Sequence, residues 1–544
     1  MRRTLVIATL AILLAAPAAV GAPGPPAVDY LKAARDFADG MIRFGRDRYG
    51  TEHSPLFAVL LVREKEPHIG PQPVFDRPAR YDWQKRITET PFRKFNYNRC
   101  LNYPPGLGAE GPHKVTLTGC DPYEDADLYT MLIDLSRTTG DPRYRAEAEK
   151  ALRWWFTRTQ SPVTGLYPWG EHLGWDFEHE CPTYFEGPSK HLYAACYHEI
   201  KDRVPFLDLL AALPATDSAA AFPGRRGTSR SASRGGLRRP PREPQGNSGS
   251  TTPLERYALG VWNAHYWDQD RAVYCRHGDY TGRDGRTGSL EGYPAHQGAH
   301  LRLWAKAYLT TRDPAVRSQM ADILTKVLDV QIARAKTYGF IPMTFKPDLQ
   351  GKKPKRTGQS DRLGRHAAEV AVTLRDAAPA ITTKMAELAR LLLGEDPAEA
   401  IMGVAERAPK APGGMATPAW PWETLDSMAT QQRVTMPPRP PEPRVADLAK
   451  ADAPNRHADA ILRRLTWYRT FGDAAYLEVA EAQARRAFAR FMDGTSRLPK
   501  AFDPPKTTTA AGEPFPDFYF RGARLMHAFA RVGEAIGQAS DEAP

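Results

Sequence analysis

Apolar residues recur at helical spacing along most of this 544-residue chain, in paired runs separated by short polar turns. The clearest pair has Leu128, Met131, Leu132 and Leu135 on one helical face, then the turn Thr139-Gly140-Asp141-Pro142, then a second run from Tyr144 to Trp155. Spacing of i, i+3, i+4 and i+7 predicts amphipathic helix. Glycine suits a helix C-terminus, aspartate an N-cap and proline the first helical position. The same signature returns around Trp304, Tyr308 and Asp313-Pro314, more weakly at Leu391 to Pro397, and around Trp467, Phe471-Gly472-Asp473 and Tyr476.

The turn aspartates stand at 141, 313, 396 and 473, so the first gap is about twice the later ones. Such self-similarity indicates a repeat architecture. Each period holds a hairpin and a longer loop rich in Trp, His, Gly and charge. The expected fold is all-α, an (α/α) toroid of antiparallel helical hairpins whose long loops form a cleft. An open solenoid of the same hairpins is the competing arrangement, and the unequal long loops favour the ring.

A missing turn would fall near residue 225, where the chain reads Pro223-Gly224-Arg225-Arg226-Gly227-Thr228-Ser229-Arg230. No helical period survives from 214 to 252. Two readings stay open: a disordered, arginine-rich insertion, or a stretch translated out of frame between two compensating indels in a GC-rich gene. The expected organisation is therefore a signal peptide at 1–22, toroid at 23–213, the anomalous segment at 214–252, and the rest of the toroid at 253–544.

The opening residues bear on compartment. Met1-Arg2-Arg3, the apolar run Leu5 to Leu14 and the small residues Val20-Gly21-Ala22 read as a secretory signal, so a periplasmic or secreted protein is expected, with no later membrane anchor. The formal net charge of +11 at first suggests a polyanion. Seven arginines between 222 and 252, opposed by Glu243 alone, supply most of it, and Arg2 and Arg3 leave with the signal. The remaining body is close to neutral, which gives no case for nucleic acid. Cys100, Cys120, Cys181, Cys196 and Cys275 are odd in number and match no zinc spacing, although Cys100 and Cys120 bracket a loop that a disulfide can staple.

Chemistry gathers in Thr164 to Glu180, which holds Trp169, Trp175, Glu171, Asp176, Glu178, Glu180, His172 and His179. Sugar faces stack on indoles while hydroxyls take carboxylates and imidazoles. Other loops mix the same types: Arg46 to Phe57, with Tyr49 and His53; Cys275 to Tyr280, with Arg276, His277 and Asp279; Arg356 to His366; and the stretch around Arg521. The candidate catalytic set is Glu171, His172, His277, Asp279, Tyr280 and Arg46. Trp169, Trp175, Tyr49, His53, Arg276 and Arg521 are candidate substrate contacts. His172 and His179, beside three glutamates, are a candidate site for a divalent cation such as Mn or Ca. His296 and His300, four apart, lack the HExxH context and are expected to pack on aromatic neighbours. A serine nucleophile elbow, a dinucleotide fingerprint and a phosphate loop are all missing from the sequence.

The hairpin rhythm, TGDPRY, GRDRYGTEHSPLF and TGLYPWGEH resemble secreted bacterial (α/α)-toroid proteins that process polysaccharides, among them manganese-assisted pectate lyases and toroidal glycoside hydrolases. The resemblance implies a polysaccharide or oligosaccharide partner. A lyase neutralises a uronate carboxylate and removes the adjacent C5 proton; Arg46, Arg276, Arg521, Tyr280 and the histidines supply those types. A hydrolase needs two carboxyls, such as Glu171 or Glu178 with Asp279. The lyase is preferred, because imidazoles and arginines recur beside tyrosines. A non-catalytic glycan-binding toroid is the third reading.

Overall fold

The structure is a computed structural model, described here for residues 28–63 (without 49, 50 and 59), 119–159 (without 121, 123 and 124), 167, 173–177, 181–184, 204–213, 252–263, 267–274, 294–343, 356–394, 448, 453–501 (without 493 and 495), 518–520 and 522–541. Within them the helices are α1 (Tyr30–Phe44), α2 (Ala126–Thr139), α3 (Pro142–Thr159), α4 (Val204–Ala212), α5 (Pro253–Asn263), α6 (Gly298–Thr310), α7 (Pro314–Tyr338), α8 (Gly358–Leu374), α9 (Pro379–Leu393), α10 (Pro454–Phe471), α11 (Ala474–Phe491) and α12 (Ala523–Asp541). The strands are short: β1 (Leu60–Val62), β2 (Gly119–Cys120), β3 (Leu173–Asp176), β4 (Cys181–Tyr184), β5 (Trp267–Asp268), β6 (Val273–Tyr274) and β7 (Phe518–Phe520). The fold is an all-α toroid of helical hairpins with little sheet.

The turn chemistry acts as its residue types require. Gly140, Gly339, Gly394 and Gly472 end helices at φ of 66 to 75°, a left-handed conformation that costs glycine nothing. Asp313 accepts from the backbone N–H groups of Ala315 and Val316, and Asp473 from that of Ala475. Asp141 accepts from Arg143 N at 2.9 Å at the start of α3. All three expected caps are therefore in place. Asp396 and Pro397 lie outside the described residues. A further hairpin, α8 to α9, turns through Arg375–Ala378 into Pro379; no Gly-Asp-Pro signature marks it in the sequence.

Packing separates the helices into two layers. Among the inner helices α12 packs on α2 and α10, and α6 on α8, while α7 and α9 pack together outside them. α4 bridges α3 to α6, and α5 packs on both α4 and α6. The first helix packs on the last, so α1 completes a hairpin with α12. β1 pairs antiparallel with β7, Leu61 opposite Tyr519, and Arg63 Nε donates to Leu498 O at 2.8 Å, which joins the two halves of the chain a second time. The core between layers is apolar and continuous, with Trp155, Trp304, Tyr257, Tyr476, Phe37 and Phe57 fully buried. Close approach is enforced at Gly298, where a Cβ would stand 1.9 Å from His366 Nδ1; only glycine lets α8 cross α6 there.

This connectivity sets the ends of the ring. Inner helices lead to outer ones through short turns at 140–141, 311–313, 375–378 and 472–473. Outer helices lead back to inner ones through the long segments after α1, α3, α5, α7, α9 and α11. The described ends of these connections therefore share one end of the ring, at the N-termini of the inner helices. Residues 214–251, outside the described residues, connect α4 to α5, where the other hairpins turn in two to four residues.

Candidate functional site

The loop end of the ring is built on small anchored platforms. After α1, Ala58 N donates to Gly45 O at 2.7 Å and Arg46 bridges Phe57, closing a loop at its base. Inside it, buried Asp47 accepts from both the backbone N–H and the hydroxyl of Ser54, at 2.9 and 2.8 Å. Such side-chain-to-backbone bonds hold an irregular loop in one shape. His53 stands exposed on it. The Arg46 guanidinium donates to Pro55 O and Glu147 and lies 3.6 Å from the Phe57 ring centroid. Burial lowers its pKa against the opposing pull of Glu147. As placed, Arg46 fixes this loop to α3.

The end of α3 meets that loop and holds the next platform. Glu52 pairs with Arg158, whose guanidinium lies 5.3 Å from the Trp154 ring. Trp154 packs edge-on to Trp175 at 4.8 Å. Trp175 sits on β3 of the sheet β2-β3-β4, opposite Cys120 and Pro182, and is only 6% exposed. The sequence offered Trp175 as a sugar platform; here its indole pins the sheet to α3. Tyr167 is fully buried between Phe156 at 5.2 Å and Tyr257 at 5.3 Å, so Pro168 to His172 start from a fixed point.

The third platform follows α5. β5 and β6 form a hairpin with Trp267 opposite Tyr274, turning through Ala272 at φ 43°. Beneath it Trp262, Trp267, Trp304, Tyr274 and His300 pack ring against ring at 5.0 to 5.8 Å. His300 is thus a packed histidine on aromatic neighbours, as its sequence context suggested. The segment carrying Arg276 to Tyr280 leaves from Tyr274. Glu171, His172, His179, Trp169, Tyr49, Arg276, His277, Asp279, Tyr280 and Arg521 all lie outside the described residues, as do Cys100, Cys196 and Cys275, while Cys181 begins β4 opposite Asp176. Cys120 is buried on β2.

A second group, missed from the sequence, lies below on the inner helices. Arg524 at the start of α12 donates to Asp459 of α10 at 2.5 Å and to Asp127 of α2 at 3.1 Å, tying three helix N-termini together. Burial by itself lowers its pKa, but Asp459 and then Asp127 raise it further, and the net shift is upward. One turn on, His527 Nε2 lies 2.6 Å from Asp134 Oδ2, both buried. Glu534 then takes Arg531 at 3.0 Å, Arg137 at 3.1 Å and Arg469 at 3.2 Å. Across the ring Arg302 of α6 pairs with Glu369 of α8, nearly buried. Tyr519 and Tyr129 flank the upper part, both hydroxyls pushed well above the ordinary phenol range, first by burial and then by neighbouring acidic groups. The available signal was the polar spacing Arg524, His527, Arg531 and Glu534 within an otherwise apolar helix.

Among the described residues no group of three or more His, Cys, Asp or Glu side chains is placed to hold a metal ion. No helix among the described residues is long and apolar enough to cross a membrane.

A family model described as periplasmic pectate lyase matches residues 125–221. That stretch begins at α2, runs through α3, β3 and β4 past α4, and contains the whole Thr164–Glu180 segment. The likeness is to a carbohydrate-processing family. Among solved structures, cellobiose 2-epimerase from Bacillus thermoamylovorans B4167 aligns at 8% identity and TM-score 0.38, covering 92% of this chain and 98% of that one. Cellobiose 2-epimerase from Spirochaeta thermophila DSM 6192 aligns at 12% identity and TM-score 0.31, covering 77% and 87%. A D-mannose isomerase aligns at 9% identity and TM-score 0.31, covering 85% and 98%.

Proposed function

We propose that the protein is a periplasmic polysaccharide lyase acting on uronate-containing chains at the loop end of the ring. The observation that carries this reading is the match to periplasmic pectate lyases over 125–221, because it falls on the hairpin and loop that hold Glu171 and His172. Three further features support it. The platforms after α1 and α3 are tied together by Glu52–Arg158 and Trp154–Trp175, and the α3 platform touches α5 through Tyr167. Inner-helix N-termini gather beneath the loops, where their partial positive charge favours an anionic substrate. Exposed His53 stands at the same end.

In this reading the uronate carboxylate is neutralised by arginine, which acidifies the C5 proton. A base among His172, Glu171, His277 and Tyr280 removes that proton, and the C4–O4 bond breaks with protonation of the departing oxygen. Arg46, held by Glu147 and Pro55, acts by positioning the first loop. Trp169 is the stacking platform.

Incubating the purified protein with pectate, alginate and glycosaminoglycans while following ultraviolet absorbance of unsaturated uronates tests the reaction. The expected result is an absorbing product from at least one acidic polymer. New reducing ends without absorbance would instead identify a hydrolase, and binding without turnover a glycan-binding module.

A further inference from the structure

α10 packs on outer helix α11 through His457, whose Nδ1 lies 3.3 Å from Gln483 Nε2. On its opposite side Asn455, Asp459, Arg463 and Thr466 are accessible and form a stripe at helical spacing, with exposed Arg456 at its edge in the first turn. Because α10 is an inner helix, that stripe faces the interior of the ring.

The carboxylates around this space are already engaged. Asp459 and Asp127 accept from Arg524, Asp134 meets His527, Glu534 takes three arginines and Glu369 pairs with Arg302. Arg463 differs. It is half-buried one turn below Asp459 and feels that carboxylate's charge, yet has no acceptor within hydrogen-bond reach among the described residues. Burial lowers its pKa despite the attraction of Asp459. A partly desolvated guanidinium is costly without an acceptor, and its planar fork matches a carboxylate in two parallel bonds.

We infer that Arg463 is a specificity-determining residue that takes the carboxylate of an acidic sugar ring entering from the loop end. The inference rests on the acidic-polysaccharide reading of that end and adds a named residue to it. Asp459, held by Arg524, keeps the stripe in register, while Thr466 lies a turn deeper.

Calorimetric titration of the intact protein with oligogalacturonates and oligomannuronates, and with their methyl esters, tests it through Arg463→Gln and Arg463→Lys. The wild type should bind one acidic series about tenfold or more tighter than its ester, the discrimination expected of a charged hydrogen-bonded pair. Arg463→Gln should remove that preference and leave ester affinity unchanged, and Arg463→Lys, which keeps charge but not the fork, should retain part of it. Undiminished preference in Arg463→Gln, with the wild type discriminating, overturns the role of Arg463 and leaves the substrate reading standing. If Arg463→Gln does not fold, full preference in Arg463→Lys overturns it. A wild type that binds no acidic series overturns the underlying reading as well.

Discussion

Arg524 organises the interior because one buried guanidinium meets two carboxylates from different helices. Both carboxylates remain nearly a third exposed, so water compensates part of any loss. Arg524→Met should therefore destabilise by about 2 kcal/mol, less than breaking a fully buried pair, read by urea unfolding; an unchanged midpoint contradicts the assigned role. Asp268 gives a pH prediction. Burial raises its pKa, but hydrogen bonds and charge from Arg271 outweigh this and the net shift is downward. Its contribution is present above the unfolded-state pKa and is lost as pH falls through the folded value. The melting temperature difference between wild type and Asp268→Asn should shrink on acidification; a constant difference refutes this. At this scale the packing of His300 on aromatic neighbours was legible, since its pair with His296 lacks the metal-binding context. The interior network was not, because a polar stripe on a helix has the same sequence whether water or another helix faces it.

Hairpins were the most legible feature, since Gly-Asp-Pro turns combine a left-handed C-cap, an N-cap and a helix-starting proline in adjacent residues. Asp313→Ala should cost about 1 kcal/mol through the lost cap, measured by thermal or urea unfolding. The α8–α9 turn escaped because Asp376 stands three residues before Pro379, and α4 and α5 because little periodicity survives in so short a pair. Those two helices pack together and on α6, and 214–251 spans the gap between them. If this segment is an insertion or a frame error, replacing it with a short Gly-Asp-Pro turn should leave the melting temperature within a few degrees. A variant that no longer folds would show that the segment belongs to the ring.

The connections after α1, α3, α5, α7, α9 and α11 each leave an outer helix and enter an inner one, so their described ends share one end of the ring. Catalytic roles for Glu171 and His172 rest on that topology and on the family match. Glu171→Gln and His172→Ala should abolish turnover and leave the melting temperature nearly unchanged, because cleft residues contribute little packing. Variants that unfold instead would make both residues structural. The most direct measurement is a crystal structure of Glu171→Gln with a bound oligouronate. The oligomer should lie across the loop end above the N-termini of α2, α10 and α12, touching the segments after α3 and α5. An oligomer seated at the short-turn end, or on the outer helices, would contradict this account of the site.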